Sequence, residues 1–280
     1  MWYAVRIEPR RLLIRRQVIE LDPSRFPLEK LTILHISDLH VKAREPWKAW
    51  MIDRIRALEP DLIAVTGDFI ELDSGSEFCA ELVSKLRSRL GTYGVLGNHD
   101  YFHNENCVVT QILNALRNVI YFDPRLRNDV PTLLRRLEQG NVRILSNESI
   151  RLAVDDAHIW LAGVDDPITQ QDDLERALEG VPREDFTILL SHSPESAFAA
   201  RERGVDLVLA GHTHGGQVKI PLIGAVVSRT RGRVPVIGGM KRMGDTWLYV
   251  SAGLGASVPL RFLSPPEATL IELRRKSIRS

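Results

Sequence analysis

Cysteine is nearly missing from this chain of 280 residues, which carries only Cys79 and Cys107. A disulfide scaffold of this length would hold many more, and the pair lacks the close spacing of a thiolate metal site. Both read as structural thiols in a reducing compartment. Long apolar runs are missing as well. No window nears the roughly 18 apolar residues that a membrane-spanning helix needs, and the start lacks the apolar core of a signal peptide. The chain therefore reads as cytoplasmic. Neither sign of charge dominates: 37 Lys and Arg against 36 Asp and Glu leave a formal net charge of +1. That excludes a general nucleic-acid-binding field and makes any basic patch local. Internal repeats, low-complexity tracts and a convincing linker are also lacking, so residues 1–280 read as one domain.

What is present is an ordinary soluble composition, 44% hydrophobic and 26% charged, with a periodicity that switches along the chain. "LTILHIS" reads as a buried strand, "WKAWMIDRIRAL" as a helix, "DLIAVTG" as a strand, "EFCAELVSKLRSRL" as a helix and "YGVLG" as a third strand. The second half repeats the order with "FTILLS", the helix "PESAFAARERG" and "VDLVLAG". Strands separated by helices pair in parallel through right-handed crossovers, which makes the fold class α/β. "RLAVDDAHIWLAGV" predicts two strands meeting at Asp155-Asp156, and "TWLYVSAG" and "EATLIELRR" are strand-like too. Sheets from both halves are expected to pack on each other. Residues 101–140 break the rhythm with two helical patterns, "NCVVTQILNALRN" and "PTLLRRLEQG", the second with Pro131 suited to a first turn. This reads as a helical insertion placed as a cap. The opening "MWYAVRIEPRRLLIRRQVIEL" mixes aromatic and aliphatic residues with Arg6, Arg10, Arg11, Arg15 and Arg16. It reads either as an edge strand among solvated arginines or as a contact with an anionic membrane surface.

Polar residues close each apolar run. Asp38 and His40 follow the first strand, Asp68 the second, and Asn98, His99 and Asp100 the third, with Asp38, Asp68 and Asn98 spaced 30 residues apart. That interval suits one strand-helix-strand unit, so each unit delivers its polar group to the same sheet edge. His192 in "LLSHSP", and His212 and His214 in "LAGHTHGG", stand just past later strand ends. In open α/β sheets, ligands bind in the crevice beyond the carboxyl ends of the strands. Carboxylates, an amide and imidazoles gathered there make a poor core, because each must be desolvated and then satisfied. Metal ions resolve that conflict. Oxygen and nitrogen donors without thiolate suit manganese, iron, zinc or cobalt, and seven ligands are too many for one tetrahedral zinc. Two ions sharing a bridging carboxylate fit the count, and such a pair can clamp phosphate oxygens and activate a hydroxide nucleophile. Gly67, Gly97 and Gly211 immediately precede these positions, where a side chain would obstruct a tight turn. His35 and His158 lie inside strands and read as structural histidines, whereas His103 is close enough to the third cluster to reach substrate.

The ordered series D-x-H, GD, GNHD, H and GHTH, running from Asp38 to His214, resembles the calcineurin-like metallophosphoesterase superfamily. The resemblance implies two mixed β-sheets packed face to face with helices outside, a four-layer αββα sandwich. It implies that Asp38, His40 and His214 hold one metal, that Asn98, His192 and His212 hold a second, and that Asp68 bridges them. His99 would then serve as general acid or transition-state donor, with Asp100 orienting it. The stretch from "GGQVKIPLIGAVV" through "GLG" and "PPE" is similar to the small bacterial phosphodiesterases of the YaeI/YkuE type. Some relatives of that branch cleave the pyrophosphate of UDP-2,3-diacylglucosamine in lipid A synthesis. Such a substrate needs basic residues for phosphate beside apolar surface for acyl chains. Arg229, Arg231, Arg233, Lys241 and Arg242 next to "IPLIGAVV" offer both. The expected function is thus hydrolysis of a phosphodiester or pyrophosphate, at two divalent ions with manganese favoured, on a nucleotide-linked lipid. The expected place is the cytoplasm, with peripheral contact on the inner face of the cell membrane and no nucleic-acid partner. Two other readings stand beside it: a soluble phosphatase or nucleotide phosphodiesterase with no lipid partner, and a scaffold that keeps the fold without chemistry.

Overall fold

Successive residues of a buried strand look to opposite sides, and this alternation sets the architecture. A computed structural model of the chain describes residues 2–104, 123–222, 224–225 and 236–277. In β2 (Lys30–Ile36), Leu31 and Ile33 face one hydrophobic layer while Leu34 and Ile36 face another. β3 (Leu62–Thr66) repeats the pattern with Leu62 and Ala64 against Ile63 and Val65. In the second half, β8 (Thr187–Leu190) and β9 (Leu207–Ala210) send Ile188, Leu190, Leu207 and Leu209 into the layer shared with β2 and β3. Leu189, Val208 and Ala210 look outward instead. Strands apolar on both sides must be covered on both sides, which gives two sheets face to face with helices outside.

Each sheet has six strands, and both are mixed. The first runs β1 (Leu13–Leu21), β14 (Glu267–Arg275), β2, β3, β4 (Thr92–Val95), β5 (Val142–Ile144). Within it β2 to β5 are parallel, β14 is antiparallel to β2, and β1 is the edge strand, parallel to β14. The second runs β12 (Gly239–Met243), β13 (Thr246–Val250), β9, β8, β7 (Ala157–Gly163), β6 (Glu148–Val154), with antiparallel hairpins at both edges and parallel strands between. Helix α1 (Pro46–Ile55), helix α2 (Ser76–Ser84) and the helix Val130–Gln139 cover the first sheet through Met51, Ile52, Ile55, Phe78, Leu82, Leu133 and Leu137. Ala177, Ala197 and Ala200 cover the second.

One expectation changes on contact with the structure. The helix expected through residue 90 ends at Ser84, because Leu86 stays in the outer layer while Leu90 packs against the layer between the sheets. A continuing helix could not cross from one to the other. The second half of the 101–140 insertion is helical, with Asp129 accepting from Thr132 N–H at 3.1 Å and Pro131 in the first turn. It packs on α2 in the outer helical layer. The first half, with Cys107, lies outside the described residues. Among the described residues no helix is long and apolar enough to cross a membrane.

Candidate metal centre

The loops leaving β2 and β3 run side by side. Asp38 N–H donates to the Gly67 carbonyl at 3.0 Å, His40 N–H to that of Asp68 at 2.9 Å and Val41 N–H to that of Phe69 at 3.1 Å. Each chain thereby leaves its strand in a tight turn that aims a side chain back over the sheet edge. Asp38, His40, Asp68, His212 and His214 all hold left-handed backbone, with φ between 45° and 67°. Such conformations cost non-glycine residues on the order of 1 kcal/mol each and persist only where the surroundings fix them. The glycines make the crowding possible. A Cβ on Gly211 would stand 1.8 Å from Ser37 Oγ and 2.4 Å from Asp38 Oδ2, and one on Gly97 would stand 2.4 Å from Asp68 Oδ1.

The polar groups meet as three trios, one of them His40 with Glu71 and His99. Donor atoms of Asp38, His40 and His214 lie within 4.8 Å of one another, as do those of Asp68, His192 and His212. Asp68 joins them, because its Oδ2 stands 3.3 Å from His40 Nε2 on one side and 3.3 Å from His192 Nε2 on the other. His214 Nε2 is 3.7 Å from Asp38 Oδ1, and His212 Nδ1 is 3.1 Å from His192 Nε2. Donors about 2.1 Å from a common ion stand about 3.0 to 3.4 Å apart in octahedral or tetrahedral arrangement, so this spacing suits divalent cations. Two buried donor atoms, His40 Nε2 and Asn98 Oδ1, have no hydrogen-bond partner. Protein interiors avoid such orphans, and a cation would supply the partner that both lack.

Surrounding groups fix how each donor presents itself. His192 Nδ1 donates to the Thr66 carbonyl at 2.9 Å, which turns Nε2 toward Asp68 and His212. Asp38 accepts from Ser37 Oγ at 2.5 Å and from His212 N–H at 3.1 Å, and Asp68 Oδ1 accepts from His99 N–H at 2.8 Å. Burial pushes the Asp68 carboxyl upward, yet the charges of His192, His99 and His40 outweigh it and hold the group well below the usual range. Buried Lys48 donates to the His40 carbonyl and to Glu45, both at 2.6 Å, which anchors the Asp38–His40 turn from behind.

Glu71 was not evident from the sequence. Its Oε2 lies 2.8 Å from His40 Nδ1 and 3.3 Å from His99 Nδ1 and accepts from Ser257 Oγ at 2.7 Å. Burial raises its carboxyl, but His99 and His40 more than reverse that and keep it well below the usual range. An acid inside the apolar run "FIEL", three residues after Asp68, was the available signal. Asp100 braces the loop that carries His99. Its carboxylate accepts from Gly97 N–H at 2.9 Å and Ile70 N–H at 3.0 Å, and burial together with Asp68 pushes it up to about 8. The carboxylate beside the His99 ring is that of Glu71. Ser257 and Arg261 carried no sequence signal. Arg261, 1% exposed, donates to the carbonyls of Ala252, Gly253, Gly255 and Ser264 and so shapes the loop that brings Ser257 Oγ to 3.3 Å from His99 Nε2.

The residues expected to bind substrate separate. His103 stays near, its Nδ1 3.2 Å from Asn128 Oδ1, while Asn128 Nδ2 donates to the His99 carbonyl at 2.9 Å. Lys241 and Arg242 do not join the site. They sit on β12 opposite Leu248 and Trp247, toward the strand end away from the ligand loops, and Arg242 lies over the Trp247 ring. Arg229, Arg231 and Arg233 lie outside the described residues. His35 bonds Thr66 Oγ1 at 2.8 Å, and His158 sits between Arg151 and Asp185.

The sequence model of the calcineurin-like phosphoesterases matches residues 31–216. The chain is 30% identical over 279 residues to the uncharacterized metallophosphoesterase YkuE of Bacillus subtilis (strain 168), covering 97% of this chain and 89% of that protein. It is 27% identical over 268 residues to phosphodiesterase YaeI of Escherichia coli (strain K12), covering 93% and 87%. It is 28% identical over 310 aligned positions to the UDP-2,3-diacylglucosamine pyrophosphatase LpxG of Chlamydia muridarum (strain MoPn / Nigg), covering 96% and 91%.

Proposed function

Because the chain belongs to the calcineurin-like phosphoesterase family, we propose that it hydrolyses a phosphodiester or pyrophosphate bond at two divalent ions held by seven side chains. It is a metal-dependent phosphohydrolase with a divalent metal centre. In our reading Asp38, His40 and His214 hold one ion, Asn98, His192 and His212 the other, and Asp68 both. One observation carries this: a single carboxylate oxygen, Asp68 Oδ2, stands 3.3 Å from a histidine of each trio. When bound, the ions supply Lewis-acid charge for phosphoryl oxygens and make a water molecule more acidic. Manganese is the ion we favour, with iron, zinc and cobalt as alternatives on the same donor set.

The chain's own groups supply the rest. His99, 6% exposed, is among the few centre residues that reach solvent, and its position suits a donor to the leaving oxygen. Protonated, it would give the Nε2 proton to that oxygen while Nδ1–H stays on Glu71. His103 is close enough to touch the departing group. We read residues 1–280 as one metallophosphoesterase unit. We place its substrate among nucleotide-linked lipids and its site of action at the inner face of the cell membrane, supported by the likeness to a protein named as a pyrophosphatase of UDP-2,3-diacylglucosamine.

The test is hydrolysis by manganese-loaded protein of UDP-2,3-diacylglucosamine, UDP-glucose, bis(4-nitrophenyl) phosphate and 4-nitrophenyl phosphate. Release of UMP from the acylated nucleotide, with diester preferred to monoester, is expected. Preference for the monoester, or cleavage of UDP-glucose as fast as of the lipid, would move the protein to the soluble phosphatase reading. Stoichiometric metal without turnover on any ester would leave the scaffold.

A further inference from the structure

Large apolar side chains exposed to solvent gather on one face. Trp2, Tyr3 and Ile7 project from the N-terminal helical segment. Ile220 and Leu222 project from the hairpin formed by β10 (Lys219–Ile220) and β11 (Gly224–Ala225), with Leu222 fully exposed. Phe262 and Leu263 project from the loop before β14. These seven are the majority of the large hydrophobic residues exposed among the described residues. The three segments adjoin: Arg261 N–H donates to the Ala4 carbonyl at 2.8 Å, Ser264 N–H to Glu8 Oε1 at 2.6 Å, and Lys219 N–H to the Phe262 carbonyl at 2.9 Å.

The charge on this face is of one sign. Arg6, Arg10, Arg11 and Arg16 are exposed. The sole acid of residues 2–19, Glu8, is buried beneath Ser264. Residues 217–222 and 258–266 contain no acid at all. Contiguous apolar surface of this kind marks an interaction site, and a rim of arginines around aromatic and aliphatic residues complements a surface that is apolar below and anionic above.

We propose that the Trp2–Arg11 segment, strands β10 and β11 with Leu222, and the Phe262–Leu263 loop form a docking face for an anionic lipid bilayer. The face adjoins the candidate metal centre, since Ser264 Oγ donates to the His214 carbonyl at 2.9 Å. Docking would therefore hold the ligand loops at the lipid surface. This deepens the lipid-substrate reading, and its test is read by binding, so each can fail alone.

The test is co-sedimentation of the metal-loaded full chain with phosphatidylglycerol–phosphatidylcholine vesicles and with pure phosphatidylcholine vesicles. Binding to the anionic vesicles about tenfold or more tighter, weakening as salt rises, is expected. Leu222→Asp with Leu263→Asp should abolish binding, and Arg6→Glu with Arg10→Glu should weaken it and flatten its salt dependence. All variants should keep their metal content and their rate on bis(4-nitrophenyl) phosphate. If the aspartates disturb folding, Trp2→Phe supplies a second measure by removing part of the fluorescence shift that vesicles induce. Equal binding to neutral vesicles, no binding, or binding indifferent to these substitutions would overturn the proposal. So would a dimer in solution that the aspartates dissociate, which would assign the face to a second copy of this chain.

Discussion

The Nδ1 atoms of His40 and His99 converge on one oxygen, Glu71 Oε2, at 2.8 Å and 3.3 Å. One acid thus orients both a ring that would hold an ion and the ring that would give the proton. Partners behind metal-bound histidines fix tautomer and orientation, and losing one typically costs about 10- to 100-fold in activity or metal affinity. Glu71→Ala should lower kcat by about that factor. The loss should be greater on phenyl than on 4-nitrophenyl diesters, because a poor leaving group depends more on the proton. Glu71→Gln should recover part of the rate. Equal losses on both esters, in step with metal content, would restrict Glu71 to supporting His40.

Asp68 and His99 should separate metal binding from turnover. Asp68→Ala would leave two cations facing each other without the anion proposed to join them, so activity should vanish and metal content fall. His99→Ala should keep the metal and lose about 10²- to 10⁴-fold in kcat, the usual worth of a general acid. Elemental analysis beside steady-state rates would show it. Parallel metal loss in both variants would contradict the assignment.

Gly211 tests how tightly the two halves are held together at the site. Its Cβ would enter the space of Ser37 Oγ and Asp38 Oδ2. Since Ser37 itself bonds Asp38 and the Thr66 carbonyl, neither can yield cheaply. Gly211→Ala should cost about 1 to 3 kcal/mol, as overpacking does, and reduce metal content. Thermal unfolding in chelator isolates the packing term from the metal term.

His35 gives a pH dependence whose sign follows from burial. Desolvation lowers its folded pKa to about 3, against an ordinary value of 6.5. Between those values the unfolded chain takes up a proton that the folded chain refuses, so the stability present above pH 6.5 declines as pH falls toward 3. From pH 7 to 5.5 this should remove about 1 kcal/mol. His35→Gln should keep a bond to Thr66 and lack this decline. Urea unfolding in chelator at both pH values, wild type against variant, measures the difference.

The strand-helix-strand rhythm and the 30-residue spacing of Asp38, Asp68 and Asn98 were legible because local periodicity and crossover length fix them. Glu71, Ser257 and Arg261 were not, since they matter only through what three-dimensional packing sets beside them. Ser257 reaches Glu71 across 186 residues of sequence. Lys241 and Arg242 show how little distance along the chain says about place in the fold. They stand 27 and 28 residues past His214 in the chain, on β12, which starts opposite Val250 and runs away from the ligand loops.

The place of β14 bears on how the molecule is made. It lies between β1 and β2, with Glu267 opposite Leu13 and Thr269 opposite His35, and Tyr249 Oη donates to Glu267 at 2.7 Å. During synthesis, the first sheet must wait with a missing middle rung until residues near 275 clear the ribosome tunnel, while β2, β3 and β4 can already associate. Until then two bare strand margins are open to strangers, and newborn chains stalled short of that point are the ones a chaperone must shield.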